Sequence, residues 1–203
     1  MATTSDQAAP ARQAVIGRAP GSLALVQEFV NTLDIEAGTD GLSSPAALAA
    51  WLEERDLAVA SQSPATSADL RQAIAMREGL REVLLTHVRG EHPHASDLAP
   101  MTLAELRSAA AGLTTSLMIT DDGAVRTVPA GHGPARGLAA LMLIAADAAA
   151  TGTWERLKVC SADDCRWAFY DRSPTRSGCW CSMAVCGSRA KSRAFRRRAA
   201  IQS

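Results

Sequence analysis

Five cysteines, all within the last 44 residues, constrain the fold of this chain more than any other sequence feature. Four of them form two C-x4-C pairs, Cys160 with Cys165 and Cys181 with Cys186, and 15 residues separate the pairs. Two short loops that each offer two thiolates can supply the four ligands of a tetrahedral zinc site. Four protein ligands leave no coordination position for a reactive water. The spacing therefore predicts one structural Zn²⁺.

Other uses of the cysteines stay open. Disulfides are uncommon in a reducing cytoplasm, but buried unmetallated thiols and redox-active thiols are both alternatives to a metal site. Cys179 is the fifth thiol, and its use in place of Cys181 would give an asymmetric pair. Its position beside Cys181 also permits a thiol-based redox or zinc-release sensor. We interpret Cys179 as a spare, exposed thiol.

The net charge of zero conceals two parts of opposite charge. Residues 1–153 carry 10 Lys/Arg and 17 Asp/Glu, a net charge of −7, whereas residues 154–203 carry 11 Lys/Arg and 4 Asp/Glu, a net charge of +7. Segregated positive charge is typical of a surface that binds an anionic partner. The sequence thus predicts that the C-terminal part contacts a polyanion.

The segment that follows the last cysteine is strongly basic. Between Gly187 and Ala200 it has no acidic residue, and its composition is permissive for a helix. Four arginines at i, i+4, i+7 and i+8 share one helical face that suits phosphates: Arg189, Arg193, Arg196 and Arg197. With Lys191 and Arg198 they make up the predicted nucleic-acid-binding residues. A solvated basic tail is the alternative interpretation.

Helical periodicity is the main pattern before residue 112, after a leader over residues 1–21 whose composition predicts disorder. Ser22, Ser44 and Thr66 are predicted helix caps. Four helices are predicted, with these approximate bounds: 23–38, 45–57, 67–90 and 101–111.

The period changes after Gly112. Two alternating runs flank the turn Asp121-Asp122-Gly123 and predict a β-hairpin at about 113–129. An Ala/Leu-rich helix over 134–150 follows, and its apolar residues occupy more than one face, which predicts burial. A short strand is expected within 166–171, where Trp167 and Phe169 are candidates, together with Trp180, for packing beside the cysteines.

The predicted fold class is mostly α with one β-hairpin (α+β). A helical domain over residues 22–153 would precede a small four-cysteine zinc module over 154–203 that ends in a basic helix. A module of this size buries too little apolar surface to fold without its metal.

Specific stretches of the sequence resemble known families. Residues 157–160, 167–171 and 180–191 are similar to the CGNR zinc finger, and residues 29–33 and 152–154, with the Trp51-Leu52 pair, resemble its companion ABATE domain. The resemblance implies zinc bound by the four paired cysteines, DNA binding by the C-terminal module, and regulation of transcription in a stress response. The sequence departs from the family pattern at Ser188, where Asn is usual, and at Cys179, where a basic residue is usual.

Several classes of function lack support in the sequence. No apolar stretch is long enough for a signal peptide or a membrane span, which predicts a cytoplasmic protein without a membrane partner. The four histidines (His87, His92, His94 and His132) are too scattered for a second metal site. The sequence contains neither a nucleophile motif nor a phosphate-binding loop, so we do not expect an enzyme. Asn31 and Arg77 fit either a ligand pocket or polar groups satisfied within the core.

Two hypotheses of different class follow. The first is a zinc-dependent, DNA-binding transcription regulator whose arginine-rich helix contacts DNA. The alternative is a zinc-stapled module that binds RNA or a protein without reading DNA sequence. A homodimer is compatible with both.

Overall fold

A computed structural model of the protein describes residues 16–58, 64–88 and 100–201. Its described part contains six α-helices and three two-stranded antiparallel sheets, in agreement with the predicted mostly helical α+β class. The helices are α1 (Leu23–Val30), α2 (Pro45–Glu53), α3 (Ser67–Thr86), α4 (Pro100–Ala111), α5 (Gly133–Ala150) and α6 (Ser188–Ile201). The sheets pair β1 (Leu33–Asp34) with β2 (Thr39–Asp40), β3 (Thr115–Ile119) with β4 (Val125–Pro129), and β5 (Leu157–Val159) with β6 (Ala168–Tyr170).

Local capping explains where α2 and α3 begin. The Ser44 hydroxyl accepts a hydrogen bond from Ala47 N at 3.1 Å, and Pro45 occupies the first turn, where its missing N–H is harmless. Thr66 and Asp69 form a reciprocal capping box at the start of α3. Both predicted caps are confirmed. Ser22 occupies the N-cap position of α1, as predicted, but its side chain makes no cap hydrogen bond.

The first predicted helix is too long. It ends at Val30, and the chain then forms the small β1–β2 hairpin, whose first strand and turn lie within the predicted helix. The reason is a set of long-range contacts. The Arg81 guanidinium donates to the carbonyls of Val30 and Leu33, which a continuing helix would have used itself. The helices predicted to reach 57 and about 90 likewise end earlier, at Glu53 and Thr86.

The β3–β4 hairpin is confirmed. Its register pairs Leu117 with Thr127, and Gly123 takes φ +79° in the tight turn, a conformation that glycine adopts at little cost. Apolar side chains on this hairpin remain exposed, among them Leu117 and Ile119.

Packed chain begins before the predicted start of order near Ser22. Ile16 and Ala19 are buried, and Gly17 O accepts a hydrogen bond from Tyr170 N at 3.0 Å. The rest of the predicted leader, residues 1–15, lies outside the described residues, as does the loop that contains His92 and His94.

One hydrophobic core joins the helices to the C-terminal sheet. Fully buried side chains from α1, α3 and α5 pack together with Leu157, Val159 and Ala168 of β5 and β6. The zinc module predicted over 154–203 therefore rests on the helical part through its sheet, while its division from the rest at residue 153 stays a prediction.

Two buried side-chain amides, from Gln27 in α1 and from Asn31 directly after it, hold strand β6. Asn31 donates from Nδ2 to Ala168 O at 3.0 Å and accepts from Ala168 N at 2.7 Å, so its side chain pairs with β6 as a neighbouring strand would. Gln27 donates to Ala168 O at 3.1 Å and accepts from Ala19 N at 2.7 Å. Asn31 is thus satisfied within the core, as one of the two predicted interpretations has it.

We expect Asn31→Ala to lower the free energy of unfolding by about 2–3 kcal/mol, because it leaves the buried N–H and C=O of Ala168 without the Asn31 amide. Urea unfolding at neutral pH measures this. Gln72→Ala is the control: Gln72 donates a single bond, to Ala109 O at 2.7 Å on a partly buried surface, and its loss should cost below about 1 kcal/mol. Equal losses in the two variants would contradict the strand-like role of Asn31.

Among the described helices, α5 alone is long and apolar enough to span a bilayer by length and composition, with a mean hydropathy of 1.2 over 18 residues. Leu138 and Leu141 on this helix are fully buried in the shared core. One face of α5 therefore lies in the core, but only 39% of the helix is buried, less than its sequence pattern predicted.

Candidate metal centre and nucleic-acid interface

The first cysteine pair lies where β5 ends. Cys160 N donates to Trp167 O at 2.9 Å, which continues the β5–β6 ladder by one more bond. The chain then turns back: Cys165 N and Arg166 N both donate to Ala162 O, at 2.9 and 3.0 Å. Arg166 has φ +49°, a left-handed conformation that lets the chain enter β6 directly after the turn. Cys160 and Cys165 therefore face the same point from the two ends of one tight loop.

The second pair lies at the start of the basic helix. Cys181 precedes a short π-helical turn, Met183–Gly187, that contains Cys186 and runs directly into α6. Gly187 N donates to Ser182 O at 3.1 Å, and the Ser188 hydroxyl donates to Met183 O at 3.2 Å. Ser188 is the position where the family pattern has Asn, and its hydroxyl bonds to the backbone of the preceding turn.

The four sulfur atoms come together in a cluster with the geometry of a metal site. The Sγ atoms of Cys160, Cys165, Cys181 and Cys186 all lie within 4.8 Å of one another. The Sγ atoms of Cys165 and Cys181 are 3.6 Å apart, and those of Cys181 and Cys186 are 3.7 Å apart. A zinc tetrahedron with Zn–S of about 2.3 Å has edges of about 3.8 Å. These distances fit one structural zinc ion.

Crowding of the thiols opposes their ionisation. The hydrogen bond between Cys160 and Cys165 raises the pKa of Cys160 to about 12, and hydrogen bonds to Cys160 and Cys165 raise the pKa of Cys181 above its usual range. Four thiolates at this spacing repel one another, so a divalent cation is needed to stabilise the ionised form. Among the described residues no other group of Cys, His, Asp and Glu side chains has metal-site geometry. The chemistry of the donor set, four soft sulfurs, suits zinc.

Cys179 stays outside this cluster. Its carbonyl accepts a hydrogen bond from Ser161 N at 3.0 Å. This bond joins the segment before Cys181 to the loop that contains Cys160 and Cys165. Its side chain is half-buried, so the interpretation as an exposed thiol is wrong, and burial raises the pKa of the Cys179 thiol. The cluster contains Cys181, which is the symmetric pairing that the spacing predicted.

Apolar side chains cover one side of the metal cluster. Trp167 and Phe169 are buried against Cys160, Cys165 and Cys186, and Trp180 packs at the edge of the same group. The three aromatic residues lie where the sequence analysis placed them. Ile16 joins this cluster from the N-terminal segment, a contact that no sequence pattern indicated.

A buried ion pair holds the loop between the two cysteine pairs. Lys158 Nζ donates to Asp171 Oδ2 at 2.8 Å, to Arg176 O at 2.6 Å and to Gly178 O at 3.1 Å, and both side chains are almost fully buried. Burial alone would raise the pKa of Asp171, but hydrogen bonds from Lys158, Ser173 and Gly178 hold that pKa far below its usual value. The pair fixes the loop of residues 173–178 and thereby helps to fix the position of Cys181, which follows that loop.

The close approach at Gly178 depends on its lack of a side chain. A Cβ there would lie 2.9 Å from the Asp171 carboxylate, and Gly178 N donates to Asp171 Oδ2 at 2.8 Å. Sequence analysis gave neither Lys158 nor Asp171 a role. The one sequence signal for a buried ion pair was a lysine between the apolar residues Leu157 and Val159.

The basic helix α6 presents two different faces. At 100° per residue, Arg189, Arg193, Arg196 and Arg197 lie within about a third of the helix circumference, as predicted. Lys191 and Arg198 lie on the other side of the helix, beside Phe195, which is 69% exposed. The six predicted residues therefore cannot contact one flat surface together.

An open groove runs along the arginine face. It is lined by three arginines, two serines and two small apolar residues: Arg189, Arg193, Arg196, Ser188, Ser192, Ala184 and Val185. Guanidinium groups along one groove are donors suited to phosphate oxygens.

Two arginines of this face form ion pairs with the body of the protein. Arg189 is 2.6 Å from a Glu36 carboxylate oxygen, and the hydrogen bond to Glu36 raises the pKa of Arg189. Arg193 is 3.3 Å from a carboxylate oxygen of Asp164, in the first cysteine loop. Sequence analysis missed both acidic partners, because nothing local links them to α6.

The remaining candidate residues are structural. Arg77 is buried and donates to both carboxylate oxygens of Asp40, at 2.6 and 2.9 Å, so it needs no ligand to satisfy it. His87 Nδ1 lies 2.8 Å from Leu157 O, and its ring meets Trp154 edge-on.

Comparison with known families agrees with this architecture. Residues 23–153 match ABATE, described as a putative stress-induced transcription regulator, and residues 156–199 match the CGNR zinc finger. No curated protein matches the chain. The first match alone spans well over half of the 203 residues, and the second contains all four clustered cysteines. The chain belongs to the ABATE family and ends in a CGNR zinc finger.

Proposed function

We propose that this protein is a zinc-dependent, DNA-binding transcription regulator, and that the arginine face of α6 is its contact with DNA. The observation that carries the proposal is the direct continuation of the Cys186 turn into α6. Because one zinc ligand lies in the turn that starts the helix, the metal fixes the direction in which the arginines point. The family description, a transcription regulator, supports the same role.

The arginine face supplies the electrostatic part of binding. Guanidinium groups bind phosphates through paired hydrogen bonds and release condensed counterions, which gives most of the affinity of a sequence-independent contact. Arg196 and Arg197, for which no ion pair is recorded among the described residues, are available to phosphates without rearrangement. Lys191 and Arg198, on the far side of the helix, would reach flanking phosphates only if α6 lies within a groove of the duplex.

The chain is proposed to act by binding alone, without catalysis. The zinc site has four protein ligands, so no coordination position remains for substrate or water. A cytoplasmic location, proposed from the thiol-rich metal site, gives access to DNA in a reducing compartment. A homodimer would suit a palindromic DNA site but is not required by the contacts described above.

Salt-dependent DNA binding tests this proposal. Fluorescence anisotropy with a labelled duplex should show a logarithm of affinity that falls linearly with the logarithm of salt concentration, with a slope of about −2 or steeper, since Arg196 and Arg197 alone supply two phosphate contacts. Arg196→Ala should weaken binding and reduce that slope by about one. Arg107→Ala is the matched control, because Arg107 is exposed on α4, outside the groove.

Three outcomes bear on the proposal. Loss of affinity in Arg196→Ala with no change in Arg107→Ala supports the DNA contact. A slope near zero, or equal effects of both substitutions, would overturn it. Tighter binding to structured RNA than to the duplex, under the same salt, would favour the alternative module that binds RNA.

A further inference from the structure

The two arginines that begin the arginine face are held by carboxylates of the same chain. The partner of Arg189 is Glu36, in the turn between β1 and β2, and the partner of Arg193 is Asp164, which precedes the zinc ligand Cys165. The two acids come from sequence positions far apart and reach α6 from different elements. They meet arginines four residues apart, which places the two ion pairs about one helical turn, or ~6 Å, from each other along α6.

Both acids sit on backbone that other contacts fix. In the β1–β2 hairpin, Asp34 Oδ1 accepts from Ala37 N at 3.0 Å, and Asp40 is bound through both carboxylate oxygens by the buried Arg77 of α3. Asp164 lies within the turn that the hydrogen bonds to Ala162 O close. The hairpin and the metal loop thus present Glu36 and Asp164 to α6 at defined positions.

The groove that these arginines line is also the surface proposed to bind DNA. Arg189 and Arg193 form its wall with Arg196. A carboxylate and a phosphate oxygen are alternative partners for one guanidinium, because both accept its paired N–H donors. Glu36 and Asp164 therefore occupy hydrogen-bonding positions that phosphates would need.

We propose that Glu36 and Asp164 stand in for two phosphates of the DNA backbone, and that Arg189 and Arg193 exchange these carboxylates for phosphates when the duplex binds. This inference rests on the proposed function. It adds that two carboxylates of the same chain cover part of the phosphate-binding surface until DNA binds. Glu36 belongs to the ABATE part of the chain, so its hairpin connects that part to the affinity of the zinc finger for DNA. Exposed ion pairs are individually weak, which keeps the exchange accessible.

The exchange changes the counterion balance in a measurable way. In the unmodified protein, each arginine that moves to a phosphate leaves a carboxylate that attracts a cation from solution. Release of counterions from DNA is then partly cancelled, and the salt dependence is shallower than the number of phosphate contacts implies. Removing the carboxylates should restore the full slope.

The test uses the full chain with Glu36→Gln, Asp164→Asn and the double variant. Anisotropy with a labelled duplex of mixed sequence, over a salt series, should show that the double variant binds on the order of tenfold tighter at low salt. Its slope should also be steeper, by at most about one for each released arginine. The control is Asp163→Asn with Glu155→Gln, which removes the same two charges from acids that pair with Arg166 and Arg176, outside α6.

The outcomes separate this inference from the proposed function. If the unmodified protein binds DNA with a salt-dependent affinity, and the double variant gains no more than the control, the exchange is refuted while the DNA contact stands. If no variant binds the duplex, both fail. If the double variant gains affinity and slope beyond the control, both are supported. Zinc content is measured for each variant, and Glu36→Gln, distant in sequence from the ligands, decides the result if Asp164→Asn loses metal.

Discussion

Cys181→Ser is expected to abolish stoichiometric zinc binding and to unfold the C-terminal region. Cys181 Sγ lies 3.6 and 3.7 Å from the Sγ atoms of Cys165 and Cys186, so its loss removes a central ligand of the cluster. Structural zinc contributes on the order of 10–16 kcal/mol in zinc-finger peptides, while a whole domain is stable by only about 5–15 kcal/mol. The remaining contacts of the region cannot compensate for such a loss. Metal analysis after gel filtration, together with thermal unfolding, measures both effects.

Cys179→Ser is the matched control, two positions away and with the same change of atom. Its thiol lies outside the cluster, so this variant should keep one zinc per chain and most of its thermal stability. Loss of zinc from Cys179→Ser with retention by Cys181→Ser would show that the second ligand pair is Cys179 and Cys186, and the assigned ligand set would be wrong.

Lys158→Met is expected to lower the free energy of unfolding by about 3–5 kcal/mol, the cost of leaving a buried carboxylate without its partner. The substitution keeps the length and apolar stem of the side chain but removes three donated hydrogen bonds, to Asp171 and to the carbonyls of Arg176 and Gly178. Urea unfolding with zinc present measures the loss.

Lys191→Met is the control for this prediction, because Lys191 is exposed and is the other lysine of the chain. It should change stability by less than about 0.5 kcal/mol. A second variant, Lys158→Met with Asp171→Leu, removes the buried pair as a whole and should recover part of the loss, since the uncompensated charge is gone. A loss in Lys158→Met no larger than in Lys191→Met would show that the pair does not hold the 173–178 loop.

The metal ligands and most helices follow from local sequence. Four cysteines at symmetric spacing specify their own chemistry, and the Ser44 cap and the Thr66 capping box signal helix starts within a few residues. The turn sequence at Gly123 likewise indicates the position of the β3–β4 hairpin. In each case the groups that determine the structure are neighbours along the chain, so a sequence pattern contains them.

The predictions that failed depend on contacts between distant residues. Helix α1 ends at Val30 because Arg81, 51 residues later, takes its terminal carbonyl, and because Asn31 pairs with Ala168. Two contacts that were not predicted also join distant residues: Ile16 packs against the cysteines, and Lys158 pairs with Asp171. The pairing of Glu36 with Arg189 could not be read from charge composition, since any of the acids might have met any of the arginines.

Zinc K-edge X-ray absorption of the purified protein tests the central claim most directly, namely that four thiolates hold one zinc ion at the base of the basic helix. We expect one zinc per chain with four sulfur neighbours at about 2.3 Å and no nitrogen or oxygen ligand. A spectrum with fewer than four sulfurs, with nitrogen or oxygen in the first shell, or with no bound zinc would contradict it.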